Sequence, residues 1–238
     1  NYSIIRSKDI NWDLGFNIST YKNNVLSTLN NSTQVLDNYH VAIQGYDVSS
    51  FYMRKWLGVN PDNGEGQWEV INPDGSRSAT SKYNLATVQV VGAATPDYYG
   101  SVSTNLNIKN FYLAANLYFS QGGQVYNSYR ELFDSDGAYP YYNQMVLQNG
   151  WTRWEKPGDI ATHPAAVYNN SSLTNKPSSR YLEDASFIKL RSLRIGYNLP
   201  ASLTEKMKIR SANIYIMGEN LFTITKFSGV DPEVGNAD

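Results

Sequence analysis

The sequence predicts an all-β fold, and more specifically an antiparallel segment of a transmembrane β-barrel with long extracellular loops. Three observations carry this prediction: apolar and polar residues alternate, aromatic residues end the apolar runs, and connections alternate between short and long. Successive side chains of a strand point to opposite faces, so this alternation separates an apolar face from a polar one. Barrel walls in membranes have this pattern, with lipid on one face and a hydrated lumen on the other.

The clearest element is a pair of strands within residues 101–119, joined by a very short turn at Lys109-Asn110. The two runs, SVSTNLNI and FYLAANLYF, predict an antiparallel hairpin. Its apolar face consists of Val102, Thr104, Leu106, Ile108, Phe111, Leu113, Ala115, Leu117 and Phe119. The opposite face carries no charge, and we expect five of its residues to face the lumen: Asn105, Asn107, Tyr112, Asn116 and Tyr118.

Other segments repeat this alternation, and we predict further strands within residues 1–5, 12–19, 187–199 and 212–219. Pro200 ends the third of these, and residues 201–207 predict one or two helical turns. Lys189 and Arg191 share the parity of Leu193, so we expect them to lie outward, near the lipid headgroups. Aromatic residues expected in the girdles at the membrane interfaces are Trp12, Phe111, Phe119 and Tyr197.

The predicted connections fall into two sets. Residues 6–9, 109–110 and 200–210 are short, whereas residues 23–96 and 121–180 are long. The first long stretch contains the turn signals Asn63-Gly64 and Asp74-Gly75, together with short apolar runs. Loops of this length are unusual in a compact soluble domain but ordinary on the outer side of a large barrel.

Composition excludes several classes of function. The chain has 238 residues and a formal net charge of −1, without blocks of like charge, so a basic nucleic-acid surface is not expected. It has no cysteine, which rules out disulfides and thiolate chemistry. No apolar run approaches the length of a transmembrane helix. Charged residues make up only 17% of the chain, whereas Tyr, Asn, Ser and Gly are frequent, as suits a hydrated wall with polar loops.

Three motifs resemble the SusC/RagA family of TonB-dependent outer-membrane transporters from Bacteroidetes. The longest spans residues 181–233, where YLEDASFIKLRSLRIGYNLP and IYIMGENLFTITKFSGVDPE resemble the C-terminal signature of the family. Residues 50–63 (SFYMRKWLGVNPDN) and 92–100 (GAATPDYYG) resemble a loop and a strand entry of the same family. The three motifs occur in the expected order and span most of the chain.

This resemblance implies a 22-stranded barrel filled by an N-terminal plug, with a SusD-like lipoprotein as a lid and TonB as the source of energy. The cargo would be a nutrient such as an oligosaccharide or a peptide. The expected location is the bacterial outer membrane. We expect residues 1–238 to be a C-terminal part of the barrel, about six or seven strands, with the plug, the TonB box and the last strand outside this chain.

No arrangement of residues predicts catalysis, and no cofactor or metal is expected. His40 and His163 lack a metal-ligand spacing, and we interpret both as surface or loop histidines. The segment Asp134-Ser135-Asp136-Gly137 begins like a calcium loop but lacks the closing Glu, so we interpret it as a turn. Aromatic loop residues present flat faces suited to a ligand or the lid, although they can equally pack the loops together: Tyr126, Tyr129, Tyr141, Tyr142, Trp151 and Trp154.

Two other classes of protein remain open at this stage. A secreted β-sandwich that binds glycans would have similar apolar strand faces, but it would bury them against a second sheet. A β-rich hydrolase would need a pair of carboxylates placed for acid and base catalysis, and no such pair is recognisable. Of the three, we favour the transporter.

Overall fold

The computed structural model of the chain describes residues 1–170 and 172–233. Contacts divide the chain into two units, each assembled from separated segments. The sheet unit contains residues 1–21, 96–122 and 185–227, and the loop unit contains residues 22–95, 123–184 and 228–238. Residues 234–238, at the end of the sequence, lie outside the described residues.

In the residues that the structure describes, most of the regular structure is β, with two short helices, α1 (Ser128–Phe133) and α2 (Ala201–Lys206). Short 3-10 turns occur at Leu29–Asn31, Tyr83–Leu85 and Ser179–Tyr181. Within the described part of the chain, no helix has the length and apolarity needed to cross a membrane. The strands are β1 (Tyr2–Arg6), β2 (Ile10–Ser19), β3 (Gln34–Val35), β4 (His40–Ala42), β5 (Ser50–Arg54), β6 (Trp56–Val59), β7 (Gly66–Ile71), β8 (Arg77–Thr80), β9 (Val88–Ala93), β10 (Tyr98–Ile108), β11 (Phe111–Gln121), β12 (Gln124–Tyr126), β13 (Leu182–Asp184), β14 (Phe187–Asn198) and β15 (Asn213–Thr225).

The sheet unit is a six-stranded sheet in the order β1-β2-β10-β11-β14-β15, with all pairs antiparallel. The predicted hairpin is confirmed, and its turn places Lys109 at φ +51°. The predicted helical turn after Pro200 is also confirmed, as α2. Every member of the sheet is hydrogen-bonded to its neighbours, so β1 and β15 are the two edge strands, and register shifts interrupt the β1-β2, β11-β14 and β14-β15 pairs.

The register aligns apolar residues across the whole sheet. Residues directly opposite each other in an antiparallel pair share a face. One row runs through Trp12, Leu106, Leu113, Ile195 and Ile216. A parallel row runs through Phe16, Val102, Leu117, Leu190 and Phe222. The predicted apolar face is therefore one continuous surface.

A β-bulge in β14 overturns the predicted orientation of Lys189. Ser192 lies opposite Asn116, but Leu190 lies opposite Leu117, so Arg191 is an extra residue in the ladder. An extra residue reverses the alternation beyond it. Lys189 therefore lies opposite Tyr118 on the polar face, and the guanidinium carbon of Arg191 is 3.9 Å from the ring centroid of Tyr118. The prediction that both cations lie outward was wrong.

The strand β15 is longer than predicted, because it continues past Glu219 through a second irregularity. Glu219 lies opposite Ser192, and Phe222 lies opposite Leu190, so Asn220 and Leu221 are inserted against the single extra residue of β14. Asn220 has φ +51°, a left-handed conformation that asparagine tolerates. The insertion interrupts the two-residue period, which is why the sequence pattern breaks at this point.

The loop unit contains three small antiparallel sheets, β3-β4-β5-β9, β6-β7-β8 and β12-β13. Both predicted turn signals fall in the second sheet, where Gly64 and Gly75 have φ +73° and +81°. The ring of Trp154 occupies the space that a β-carbon on Gly64 would need. The apolar core cluster of the unit is small and mostly aromatic, and it consists of Phe51, Met53, Tyr126 and Tyr181.

Candidate functional site

The five residues expected to face a lumen share the polar face of the six-stranded sheet. Asn107 lies opposite Tyr112, Ser103 opposite Asn116, and Ser101 opposite Tyr118. Asn105 lies opposite Ala114, which is in turn opposite Arg194. The register thus brings these residues to one side. Which side of a membrane protein this is remains a prediction.

The polar face includes positive charge as well as amides and hydroxyls. Lys189, Arg191 and Arg194 all come from β14, and Lys189 is only 3% exposed. The guanidinium of Arg194 lies over two tyrosine rings, with its carbon 4.0 Å from the Tyr215 centroid and 5.4 Å from that of Tyr112. The alternation in the sequence did not reveal this cluster, because the extra residue at Arg191 brings Lys189 to the same face as Arg194 although the two residues differ in parity.

The aromatic loop residues divide into a buried, a half-buried and an exposed group. Tyr126 is 1% exposed, packs against Tyr39 and Tyr181, and donates a 2.6 Å hydrogen bond to Glu131. It fits the packing alternative and offers no surface to a ligand. Burial and the carboxylate of Glu131 together raise the pKa of Tyr126, so its hydroxyl keeps its proton.

Two tryptophans brace the loops from half-buried positions. Trp151 lies against His163, with ring centroids 5.0 Å apart, and under the guanidinium of Arg130 at 4.4 Å. Trp154 donates from its indole nitrogen to the backbone oxygen of Pro61 at 2.9 Å. Both contacts fix loop geometry, and both side chains retain some exposed surface.

Three of the predicted contact residues are exposed. Tyr129, Tyr141 and Tyr142 are 65%, 91% and 59% exposed, and Tyr168, which the sequence analysis did not single out, is 67% exposed. The hydroxyl oxygens of Tyr141 and Tyr168 are 3.4 Å apart. Tyrosines combine a flat apolar ring with a hydrogen-bonding tip, so this surface suits a ligand with both apolar and polar groups.

The loop unit also contains a buried ionic network, defined here as Arg130, Asp134, Asp136, Arg153, His163, Arg180 and Glu183. Arg130 pairs with Asp134 at 2.9 Å and with Glu183 at 3.1 Å. Asp136 receives Arg153 at 2.9 Å and a further, very short bond from Arg180. His163 contacts Asp134 at 2.9 Å through its Nε2 atom. Each ion therefore has a partner of opposite charge, as buried charges require.

The network explains the ionisation of its central carboxyl. Burial alone would raise the pKa of Asp134, but the hydrogen bond with His163 and the charges of Arg180, His163 and Arg130 lower it to about 2. His163 was predicted to be a surface or loop histidine; it lies in a loop, but it is 1% exposed, so the surface alternative was wrong. His40 lies on β4 beside Asp37, with its ring 4.5 Å from that of Phe51.

The segment 134–137 is a turn, as predicted, and both of its carboxylates form ion pairs within the buried ionic network. Gly137 has φ +90°. Within residues 1–170 and 172–233, no group of three or more His, Asp or Glu side chains is placed to hold a metal ion. The chemistry that this site offers is binding through aromatic rings and hydrogen bonds.

Comparison with known proteins agrees with this architecture. No protein-family model matches the chain. The chain is 28% identical to TonB-dependent receptor P3 of Formosa agariphila, over 96% of this chain and 24% of that protein. It is 24% identical to TonB-dependent receptor SusC of Bacteroides thetaiotaomicron, over 98% of this chain and 23% of that protein. A solved structure of the RagAB peptide transporter matches with a TM-score of 0.81 and 26% identity, over 97% of this chain and 25% of that chain.

The resemblance to SusC/RagA-type TonB-dependent receptors is confirmed. The match to both sequences and structure covers the sheet unit and the loop unit together, because it includes nearly all of this chain. The chain spans about a quarter of the length of the curated SusC/RagA-type relatives that it matches.

Proposed function

We propose that this chain forms part of the wall and the external loops of an outer-membrane TonB-dependent importer. The observation that carries the proposal is the uncovered apolar face of the six-stranded sheet. Ile216, Ile214 and Phe16 are 81%, 68% and 64% exposed, although they belong to one continuous apolar surface. A large exposed apolar surface marks contact with a protein or with lipid.

The dimensions of the sheet support lipid as the partner. The strands β2, β10, β11, β14 and β15 have 10 to 13 residues, and barrel strands cross a bilayer with about 9–11. Phe111 and Tyr197 pack with tilted rings at one end of the apolar face, with centroids 4.6 Å apart. Phe16 and Phe119 stack at the other end, at 6.4 Å. Aromatic residues at both ends fit the two interfacial girdles.

The finer assignments rest on the SusC/RagA-type relatives. We propose that the sheet belongs to a 22-stranded barrel, that a SusD-like lipoprotein covers its outer side, and that TonB acts through a part outside this chain. The cargo is a nutrient such as an oligosaccharide or a peptide, and the protein is not an enzyme. The exposed tyrosines of the loop unit are the proposed contacts to cargo or lid.

Cysteine labelling of the full-length receptor in intact outer membranes tests the orientation of the wall. Single cysteines at Leu113, Leu117 and Asn116 are treated with a charged, water-soluble maleimide. We expect Asn116→Cys to react and the other two to stay unlabelled until the membrane is dissolved. Free reaction at Leu113→Cys and Leu117→Cys, with Asn116→Cys protected, would show that the apolar face does not meet lipid and would end the proposal.

A further inference from the structure

The sequence contains two Asn-Gly dipeptides, and both lie in turns of the loop unit. Asn63-Gly64 lies between β6 and β7, whereas Asn149-Gly150 lies in a turn that the backbone nitrogen of Trp151 closes by donating to the oxygen of Gln148. Both glycines have a positive φ, +73° at Gly64 and +86° at Gly150. Because the two dipeptides are alike in sequence and in glycine conformation, a difference in their chemistry must come from their surroundings.

An asparagine that precedes glycine can lose its side-chain nitrogen in an intramolecular reaction. The backbone nitrogen of the glycine attacks the Cγ atom of the asparagine, and a five-membered imide forms. Glycine permits this approach because it has no β-carbon beside the attacking nitrogen. The reaction requires a side chain that is free to rotate and a backbone nitrogen that is not engaged in a hydrogen bond.

The surroundings of Asn149 meet both requirements. Asn149 and Gly150 are both exposed. Neither the side chain of Asn149 nor the backbone nitrogen of Gly150 makes a hydrogen bond within the described part of the chain. Apart from the adjacent residues, no described atom lies within 4 Å of the position that a β-carbon on Gly150 would take. Contacts within the turn therefore leave the attacking nitrogen and the amide unrestrained.

The surroundings of Asn63 hold the same two groups in place. The backbone nitrogen of Gly64 donates to the backbone oxygen of Asn60 at 2.8 Å. The side chain of Asn63 donates to the carboxylate of Glu65 at 3.1 Å and accepts from the backbone nitrogen of Glu65 at 3.1 Å. Gly64 is buried under the ring of Trp154. The reaction at Asn63 must first break these hydrogen bonds, so it should be slower.

We propose that Asn149 is a site of spontaneous covalent modification, by deamidation to Asp and isoAsp, and that the fold protects Asn63 from the same reaction. The nitrogen of Gly150 gives up its proton and bonds to the Cγ atom of Asn149. The bond between Cγ and Nδ2 breaks, and Nδ2 leaves as ammonia with that proton. Solvent water then opens the imide at one of its two carbonyl carbons, which gives Asp or isoAsp.

The modification changes both charge and backbone geometry in the loop unit. Either product carries a carboxylate in place of the neutral amide of Asn149. In isoAsp the main chain also runs through the former side chain, which lengthens the turn between Gln148 and Trp151. The ring of Trp151 lies against His163 and under the guanidinium of Arg130. We therefore expect isoAsp to disturb a turn that positions one of the tryptophans bracing the loops.

Ageing of the full-length receptor, followed by peptide mass spectrometry, tests the proposal. The purified receptor is kept in mildly alkaline buffer, sampled over time and digested at acidic pH, where imide formation is slow. Conversion of amide to acid is measured at Asn149 and Asn63 in the same sample, and the Asp and isoAsp peptides are separated by chromatography. We expect both products at Asn149, formed at least about tenfold faster than at Asn63. This ratio corresponds to about 1.4 kcal/mol, the size of one or two net hydrogen bonds.

Two controls attribute the difference to the fold. In guanidinium chloride, where the receptor is unfolded, Asn63 and Asn149 should convert at similar rates because the hydrogen bonds of Asn63 are lost. Glu65→Ala removes the carboxylate that holds the side chain of Asn63. This variant should speed conversion at Asn63 and leave the rate at Asn149 unchanged.

Three results would overturn the proposal. Equal rates at Asn63 and Asn149 in the folded receptor would show that the fold protects neither position more than the other. Conversion of Asn149 only after unfolding would show that the folded turn withholds the nitrogen of Gly150. A product at Asn149 that consists of Asp alone would show direct hydrolysis of the amide, because that route passes through no imide and gives no isoAsp.

Discussion

The sheet unit and the loop unit differ in which side chains they bury and which they expose. The sheet unit leaves large aliphatic side chains exposed, with Ile216 at 81% and Ile224 at 62%. The loop unit instead buries charge, with Asp136 at 1% and Arg180 at 7% exposed. In water such a sheet would be unstable or would aggregate, whereas in lipid its apolar face needs no second layer of protein against it.

The difference teaches that the two units depend on different interactions. The sheet unit is held by backbone ladders between long neighbouring strands and by the medium around it. The loop unit has a core of only a few apolar side chains, so its long loops depend on charges paired across the sequence, such as Arg180 with Asp136. Substitutions should therefore affect the two units by different mechanisms.

The largest effect is expected when the buried ionic network loses one charge. Asp136→Asn removes the carboxylate that Arg180 and Arg153 share, and it leaves Arg180 only the longer contact with Asp134 at 3.6 Å. Breaking a buried ion pair by removing one partner costs about 3–5 kcal/mol. We expect proteases to cleave residues 123–184 of the full-length receptor readily, while the six-stranded sheet keeps its heat-modifiable migration on gels.

The matched control for this prediction is Asp159→Asn, in the same loop region. Asp159 is half-buried, and its carboxylate accepts hydrogen bonds from the backbone of Glu155 and Lys156 but makes no ion pair within the described residues. It should leave protease resistance close to that of the wild type. Equal cleavage of both variants would mean that the network is not what holds the loop unit together.

The sheet unit is tested by placing a charge on each of its faces. Leu117→Lys puts an ammonium on the apolar face near the middle of β11, where it should destabilise a barrel by about 2–4 kcal/mol. Asn116→Lys introduces the same group on the opposite face and should be tolerated. The measurement is the urea midpoint of the refolded full-length receptor in bilayers. A lower midpoint for Asn116→Lys than for Leu117→Lys would contradict the assigned faces.

Much of the sheet unit was predictable because its determinants are local. Strand alternation identified both members of the hairpin, β2 and most of β14, and the turn at Lys109-Asn110 was placed correctly. The prediction failed where a single residue breaks the period. The bulge at Arg191 reverses the alternation of side chains between the two faces, and no residue type in that segment indicates a bulge.

The loop unit was far less predictable, because its determinants are distant in sequence. Asp136 meets Arg180, a separation of 44 residues, and His163 meets Asp134 across 29 residues. Nothing in the local pattern distinguishes these side chains from exposed loop residues. The turn glycines Gly64 and Gly75 were found, since a positive φ has a recognisable sequence signature.

The acid stability of the loop unit should depend on Asp134. The pKa of Asp134 is lowered to about 2 in the folded protein, against about 4 in an unfolded chain. A depressed pKa contributes stability that is fully present above pH 4 and is lost as pH falls from 4 to 2. The loss should total about 2–3 kcal/mol.

This pH dependence can be measured by hydrogen exchange of residues 123–184 in the full-length receptor between pH 6 and pH 2.5. Asp134→Asn should be less stable at pH 6 and show a shallower decline below pH 4. An unchanged slope in Asp134→Asn would assign the acid sensitivity to other carboxyls.

The smallest effect is expected for an ion pair of the same unit whose cation is exposed, which sharpens the contrast with the buried ionic network. Arg77 is largely exposed and donates to Glu69 at 2.6 Å, but Glu69 also accepts from Lys55 and Gln89. Arg77→Ala therefore leaves the carboxylate partnered and should cost no more than about 1 kcal/mol, with the difference disappearing at high salt. Protease resistance of residues 66–80 at low and at high ionic strength measures it. A loss as large as that of Asp136→Asn would show that exposure of the cation and the remaining partners of the carboxylate do not make this ion pair weak.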